Sequence, residues 1–245
     1  MGRDKALSYA SNPELWLTSV SITLACIGTI IFIGYILCEK NKSLFTKFLG
    51  VLFFTRFVFL HGYMTGIGHW DITNSLPLHL CGISSLVIIY IMFKYNQSMY
   101  EYLVLLGIPS AIHSILTPQF INGWDGYYFP EFYLSHGAIL LAPLYLSINY
   151  GYKLRLNSWI TAFRNGLLLA CLIGVINLTI GYFYGITPNY LYLCEAPLVD
   201  NPLLITSEWP YYILIIDFLA VVYLYILYIP FMIYNKVKIK NEIKV

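Results

Sequence analysis

Six polar or ionisable residues lie inside apolar segments of this 245-residue chain: Arg56, Cys81, His113, His136, Asn177 and Asp217. Such residues are costly to place in hydrocarbon, so each is by default a candidate for function. A thiol, imidazoles, a guanidinium, a carboxylate and an amide are together the parts of an acyl-transfer site. Each also has a structural explanation by itself: a buried cysteine is usually an inert apolar residue, a histidine can bond a carbonyl, and the arginine and aspartate can form an ion pair.

The elements that must position these residues are transmembrane helices. With 59% hydrophobic and 11% charged residues, the chain has too little polar surface for a soluble domain. Seven apolar segments approach the roughly 20 residues that a helix needs to cross a bilayer. They are residues 15–38, 44–65, 76–94, 100–117, 130–149, 159–183 and 210–234. The sequence therefore predicts an all-α fold, a single domain over residues 1–245 built as a bundle of seven transmembrane helices.

Basic residues give the orientation of this bundle. The loops after the first, third and fifth segments and the C-terminal tail carry Lys and Arg, whereas the alternate loops carry acidic residues instead. The positive-inside rule then places the N-terminus outside and the C-terminus in the cytoplasm. All six polar residues fall in the outer half, and no comparable group is expected in the cytoplasmic half. The long connection 184–209 is predicted to lie outside as a lid.

Depth along the helices selects a candidate nucleophile and base. At about 1.5 Å per residue, Cys81 and His136 come out roughly 8 to 9 Å inside the outer ends of their helices. His79 is two residues from Cys81 and points to a different face of a helix, so it is not the direct base. The remaining candidates for orienting the imidazole, contacting a phosphate or stabilising an oxyanion are His79, Arg56, Asp217, Asn177 and His113.

Three blocks of sequence carry a resemblance to a known family. They are residues 76–81 (LPLHLC), the helix with His136 and Gly137, and residues 189–193 (NYLYL) followed by Glu195, Ala196, Pro197 and Trp209-Pro210-Tyr211-Tyr212. Together they resemble the YwaF-type bacterial membrane proteins, which are similar to the transmembrane protein 164 phospholipid acyltransferases of eukaryotes.

The resemblance implies an acyl carrier at Cys81. This cysteine would accept a fatty acyl group from a phospholipid and pass it to a lysophospholipid or, in a hydrolytic counterpart, to water, without acyl-CoA. Phospholipids and lysophospholipids are then the expected partners, no cofactor is expected, and the expected location is the bacterial cell membrane. Asn189, Tyr190 and His61 are expected to contact the substrate.

Two other functional classes stay open. A metal-dependent membrane lipid hydrolase would use the ligand types of His61, His113, His136 and Asp217, although no HExxH or HxxxH spacing occurs. A transporter or small-molecule binding protein would hold its ligand with the same residues, and a polar path through the cytoplasmic half would favour it. Five cysteines without a CxxC pair indicate neither a disulfide framework nor a thiolate zinc site, and a net charge of +2 argues against nucleic-acid binding.

Overall fold

A computed structural model of the protein describes residues 12–118, 126–197 and 204–242, with side chains as far as Tyr234. All regular structure in these ranges is helical, which confirms the predicted all-α class. The helices are α1 (Pro13–Ile36), α2 (Glu39–Gly66), α3 (Leu80–Phe93), α4 (Gln97–Tyr102), α5 (Ile108–Leu116), α6 (Tyr128–Tyr150), α7 (Ser158–Tyr184) and α8 (Tyr211–Glu242). A π-helical turn, Leu103–Gly107, joins α4 to α5, and a 3₁₀ turn, Tyr190–Tyr192, follows α7.

Five helical segments among the described residues are long and apolar enough to cross a membrane. They are α1, α2, the continuous run Gln97–Leu116 that contains α4 and α5, α7, and Tyr211–Tyr234 of α8. The apolar helix α3 has only 14 residues, and α6 has 23 residues that include several buried polar groups. By length and composition, these helices indicate a multi-pass membrane protein.

The third helix begins later than the apolar pattern predicts. The predicted segment begins at residue 76, but residues 76–79 form an irregular segment in which the Leu78 N–H donates to the Leu76 carbonyl at 2.8 Å. A Cβ atom added to Gly82 would lie 2.7 Å from the Cα atom of Pro77. The glycine therefore lets this segment lie directly against the first turn of α3.

The fourth predicted segment, 100–117, is not one regular helix. The π turn between α4 and α5 inserts an extra residue per turn, a feature found mostly at functional sites. Pro109 follows as the second residue of α5, where its missing N–H is tolerated. The Ser110 hydroxyl donates to the Gly107 carbonyl at 2.8 Å. This irregular stretch forms one wall of the cavity described below.

Helix α6 lies at the centre of the bundle, against α1, α3 and α5. Small residues let α1 and α6 approach closely, as is usual in membrane bundles. A Cβ atom on Gly137 would lie 2.8 Å from Thr23, and one on Gly34 would lie 2.5 Å from the ring of Tyr145. The helix that carries His136 is thus held firmly by its neighbours.

Buried polar residues also lie at the end of the bundle opposite Cys81, where none was expected. Lys42, in the first turn of α2, donates to the Asn149 carbonyl at 3.3 Å. Glu101 on α4 accepts from the Arg155 Nε at 2.9 Å and from its Nη2 at 2.7 Å. The prediction that such groups occupy only the outer half was wrong. The reason is that Lys42 fastens the start of α2 to the end of α6, and Glu101 fastens α4 to the 151–157 loop.

Candidate active site

Cys81 is the second residue of α3, and His79 precedes the helix as its N-cap. The first N–H groups of a helix have no acceptor within it, and the first to bond here is that of Ile83, to the His79 carbonyl at 2.9 Å. The amides of Cys81 and Gly82 have no backbone acceptor among the described residues. A helix N-terminus favours a negative charge, so this position suits a thiolate or an oxyanion.

His136 on α6 is the partner of this thiol. The Cys81 and His136 side chains are close enough to interact and line the same cavity, and the imidazole is only 8% exposed. His136 Nδ1 lies 2.7 Å from the Phe132 carbonyl oxygen. Because a carbonyl only accepts, Nδ1 carries the proton, and Nε2 is left as the nitrogen that accepts a proton. The pair thus has the arrangement of a nucleophile and its base.

Two hydroxyl groups from α5 complete the surroundings of the sulfur. Ser114 Oγ lies 3.6 Å from Cys81 Sγ, and Ser110, one turn earlier, is also within hydrogen-bonding range of it. The Ser110 proton is directed at the Gly107 carbonyl, so Ser114 is the hydroxyl free to donate to the sulfur. Sequence reasoning missed both serines. The signal was a polar stripe at helical spacing, formed by Ser110, His113, Ser114 and Thr117.

A cavity of about 540 Å³ adjoins the Cys81–His136 pair. Its walls come from the start of α3, the π turn, α5, α6, the 3₁₀ turn and α8. Its polar lining residues other than the pair are His79, Ser110, His113, Ser114, Thr117, Tyr192 and Tyr223. The rest of the lining is aliphatic, proline or phenylalanine, which suits an apolar ligand with one reactive polar group.

His79 lines this cavity and lies between two tyrosine rings. Its imidazole centroid lies 5.5 Å from that of Tyr190 and 5.0 Å from that of Tyr192. The imidazole therefore lies where the 3₁₀ turn meets the start of α3, and its ring nitrogens are hydrogen-bonding groups beside the cavity.

Asn189 and Tyr190, expected to contact the substrate, are used to shape the loop. Asn189 Oδ1 accepts from the Cys194 and Glu195 amides, each at 3.0 Å. The Tyr190 hydroxyl donates to the Ile72 carbonyl at 2.7 Å and accepts from the Leu76 amide at 3.0 Å, and its ring is fully buried. Neither lines the cavity. This part of the predicted lid is therefore fastened to the segment before α3, while residues 198–203 of the lid lie outside the described residues.

Within residues 189–193, Leu191 and Tyr192 are the residues that line the cavity. Both have left-handed backbone conformations, with φ of 58° and 55°. Such values are unusual for side chains of this size and often mark functional sites. Sequence reasoning recognised the surrounding NYLYL block but not which of its residues point inward.

The imidazole of His136 is oriented by a backbone carbonyl and not by the candidates named from the sequence. Asn177 is fully buried, and its Nδ2 donates to the Tyr190 carbonyl at 3.0 Å, so it supports the loop. Asp217, on α8, has no hydrogen bond or ion pair with any described residue. The role of orienting group falls to Phe132, whose carbonyl is one helical turn before His136.

Arg56 pairs with Glu131 and not with Asp217. Its Nη1 bonds Glu131, in the first turn of α6, and its Nη2 donates to Ser85 Oγ at 3.2 Å. Glu131 is buried, although it lies at the very start of the predicted segment 130–149. Arg56 does not line the cavity, so it is not an oxyanion donor here. It ties together the two helices that carry Cys81 and His136.

The histidines do not form the proposed metal site. His113 lines the cavity, but His61 lies elsewhere, with its Nδ1 accepting from the Trp70 indole at 3.3 Å. Within the described ranges there is no group of three or more His, Cys, Asp or Glu residues placed to hold a metal ion. The four-residue ligand set expected from the sequence is therefore not assembled.

Comparison with known proteins gives the family. No curated protein and no solved structure matches the chain. The model of the TMEM164 family matches residues 8–228, a range that contains the Cys81–His136 pair and all three sequence blocks of the resemblance. Since the match covers nearly the whole chain, this protein belongs to the TMEM164 family.

Proposed function

We propose that this protein is a membrane-embedded acyltransferase in which Cys81 carries a fatty acyl group as a thioester. The donor is a phospholipid and the acceptor a lysophospholipid, with no need for acyl-CoA. The observation that carries the proposal is the contact between Cys81 and His136 at the wall of an apolar cavity, with the Phe132 carbonyl holding the imidazole as a base. Membership of the TMEM164 family supports it.

The first step transfers the acyl group to the enzyme. His136 Nε2 takes the thiol proton, and the Cys81 sulfur attacks the carbonyl carbon of an acyl ester. The C–S bond forms as the ester C–O bond breaks, and the departing lysophospholipid oxygen takes the proton from the imidazolium. The amides of Cys81 and Gly82, which have no backbone acceptor among the described residues, are donors for the oxyanion, and one such donor is typically worth about 3 kcal/mol.

The second step reverses the proton transfers with a new acceptor. The hydroxyl of a lysophospholipid gives its proton to His136 Nε2 while its oxygen attacks the thioester carbon. The C–O bond forms, the C–S bond breaks, and the sulfur is protonated by the imidazolium. Because the cavity is mainly apolar and Leu191 and Tyr192 line one of its walls, it disfavours water as the acceptor. This favours transfer over hydrolysis.

The proposed arrangement in the membrane has seven crossings. They are the five long apolar helices together with α3, extended by residues 76–79, and α6. Lys94 caps the end of α3 away from Cys81, and Arg155 binds Glu101 at the same end of the bundle. The positive-inside rule then puts that end in the cytoplasm of a bacterial cell and Cys81 near the outer leaflet.

The test is a transfer assay in proteoliposomes. The donor is a phospholipid with a labelled acyl chain, and unlabelled lysophospholipid is the acceptor. Wild type should form labelled phospholipid from the acceptor, Cys81→Ala should not, and Cys171→Ala, a change at an exposed position on α7, should behave as wild type. Label that appears instead as free fatty acid would identify a hydrolase. Equal transfer by wild type and Cys81→Ala would refute the proposal.

A further inference from the structure

The cavity beside Cys81 lies between two helices that do not pack along each other. α5 packs against α6 and the π turn, whereas α8 packs against α7 and the π turn. Where the structure describes both helices, they meet through the rings of His113 and Tyr223, whose centroids are 5.0 Å apart at 86°. We call this boundary the α5–α8 seam; it comprises Pro109, His113, Ile216, Ala220 and Tyr223. Side chains, and not close backbone packing, close it.

The opposite boundary of the cavity is fastened more strongly. The 3₁₀ turn covers it, and the Tyr212 hydroxyl on α8 donates to the Tyr192 carbonyl at 2.7 Å. The Trp209 indole donates to the Leu193 carbonyl at 3.1 Å. Tyr190 bonds the segment before α3 on the other side. Opening this cover breaks these three hydrogen bonds, whereas parting the seam breaks, among the described residues, the ring contact between His113 and Tyr223.

The α8 side of the seam is an apolar surface that reaches the outside of the bundle. Ile216, Leu219, Ala220, Tyr223 and Leu224 share one helical face and all line the cavity. Ile216 is also 39% exposed, so the same surface continues outward to where lipid would lie. Ala220 has the shortest side chain on this face. A larger side chain at Ala220 would therefore project farthest beyond the present α8 wall and narrow the cavity.

We propose that the acyl chain of the substrate reaches Cys81 sideways from the membrane through the α5–α8 seam, and that Ala220 determines which chains pass. An aliphatic chain fits because none of the α8 residues that line the cavity is charged. The inference rests on the proposed function in taking the occupant to be an acyl chain. It makes α8 the element that selects the substrate, while α3 and α6 carry the chemistry.

Alkylation of Cys81 tests the route without requiring acyl transfer. The protein in phosphatidylcholine vesicles is treated with N-hexadecylmaleimide or N-ethylmaleimide, and labelling of the Cys81 peptide is followed by mass spectrometry. In Ala220→Phe we expect the rate with the hexadecyl reagent to fall about tenfold while the rate with the ethyl reagent stays within about twofold. The unchanged ethyl rate shows that the variant is folded and its thiol intact.

Two further variants sharpen this experiment. The Leu214 side chain on α8 is 63% exposed and does not line the cavity, so Leu214→Phe should change neither rate. Tyr223→Ala removes one ring of the seam and should raise the rate with the hexadecyl reagent. Cys171, exposed on α7, is an internal reference that Ala220→Phe should not affect.

Two results would contradict the proposed route. If Ala220→Phe leaves the hexadecyl rate unchanged, or slows both reagents equally, the acyl chain does not enter past Ala220. The outcome is separable from the proposed function. A seam that discriminates the two reagents, in a protein that forms no thioester from phospholipid, would support the route and refute the transferase. A thioester formed from phospholipid, together with an unchanged hexadecyl rate in Ala220→Phe, would support the transferase and refute the route.

Discussion

His136 is the residue whose protonation most directly controls the proposed chemistry. The Phe132 carbonyl accepts from its Nδ1, and this leaves Nε2 to act as a base toward Cys81. A backbone carbonyl does this work here, where a carboxylate does it in many hydrolases. The orienting group is therefore a consequence of α6 geometry, because Phe132 lies four residues before His136.

Removing the base should slow acylation far more than removing the carboxylate of Asp217, which the sequence offered as an orienting group. His136→Ala is expected to lower the rate of Cys81 acylation by about 10²- to 10⁴-fold, as is usual for loss of a general base. Asp217→Asn should have little effect, because Asp217 bonds neither member of the pair. Single-turnover kinetics with labelled phospholipid measures both. A loss in Asp217→Asn as large as that in His136→Ala would show that the orienting group is misassigned.

At this scale the sequence predicted the depth of residues but not their bonding. Cys81 and His136 could be matched because helix position follows from counting, and the structure places them in contact. The Phe132 carbonyl could not be chosen, since every residue has one. The Arg56–Glu131 pair could not be chosen either, because hydropathy put Glu131 at a helix boundary and left its burial undetermined.

The first turn of α3 depends on how closely the 76–79 segment lies against it. At Gly82 an added Cβ atom would lie 2.7 Å from the Pro77 Cα, whereas at Gly62 on α2 it would meet nothing within 4 Å. Gly82→Ala should therefore displace the turn that holds Cys81, and overpacking of this kind costs about 1–3 kcal/mol.

Gly82→Ala and Gly62→Ala make a matched pair at the scale of the element. We expect Gly82→Ala to lower both the thermal stability and the acylation rate, and Gly62→Ala to leave both near wild type. Thermal unfolding in detergent and single-turnover acylation are the measurements. Equal tolerance of the two substitutions would mean that the close approach does not position Cys81.

The Arg56 bridge joins α2 to the helices that carry the pair. Arg56→Met leaves Glu131 as a buried, unpaired carboxylate, and breaking such a pair typically costs about 3–5 kcal/mol. The double variant Arg56→Met with Glu131→Gln should recover most of this stability but not the acylation rate, because Ser85 also loses its bond to Arg56. Thermal unfolding and acylation rate, measured together, separate the two effects. Full recovery of the rate would show that the bridge has only a structural role.

Element boundaries show what hydropathy can and cannot predict. The long helices lie close to the predicted segments because the bilayer length and the apolar runs impose them. The start of α3 and the π turn before α5 escaped prediction. Both depend on contacts between elements: the first on Pro77 against Gly82, and the second on the packing of residues 103–107 against α3, α6 and α8. No local pattern encodes such contacts.

For the whole molecule, the seven crossings that we propose would place the two termini on opposite sides of the membrane. A periplasm-active reporter at the N-terminus and a cytoplasm-active reporter at the C-terminus should both be active in a bacterial host, with the reverse fusions inactive. The physical reason is the concentration of Lys and Arg at the end of the bundle away from Cys81. Termini on the same side would require an even number of crossings and would reassign α3 or α6.

The molecule has an interior with buried polar contacts and a boundary, the α5–α8 seam, that is closed by side chains. Charge bias and hydropathy predicted the multi-pass architecture, since those properties are summed over many residues. They did not predict the buried polar contacts of Lys42 and Glu101 at the opposite end, because these depend on tertiary partners such as Asn149 and Arg155. Charge bias and hydropathy did not predict the α5–α8 seam either, because it also depends on contacts between distant parts of the chain.

The most direct test of the account is whether Cys81 carries an acyl group during turnover. Purified protein is incubated with a phospholipid labelled in its acyl chain, quenched in denaturant, and examined for hydroxylamine-sensitive label on the Cys81 peptide. The account predicts such a thioester in wild type, its absence in Cys81→Ala, and its loss when lysophospholipid is added before the quench. Transfer of label to the acceptor with no thioester at Cys81 in any trapped sample would contradict it.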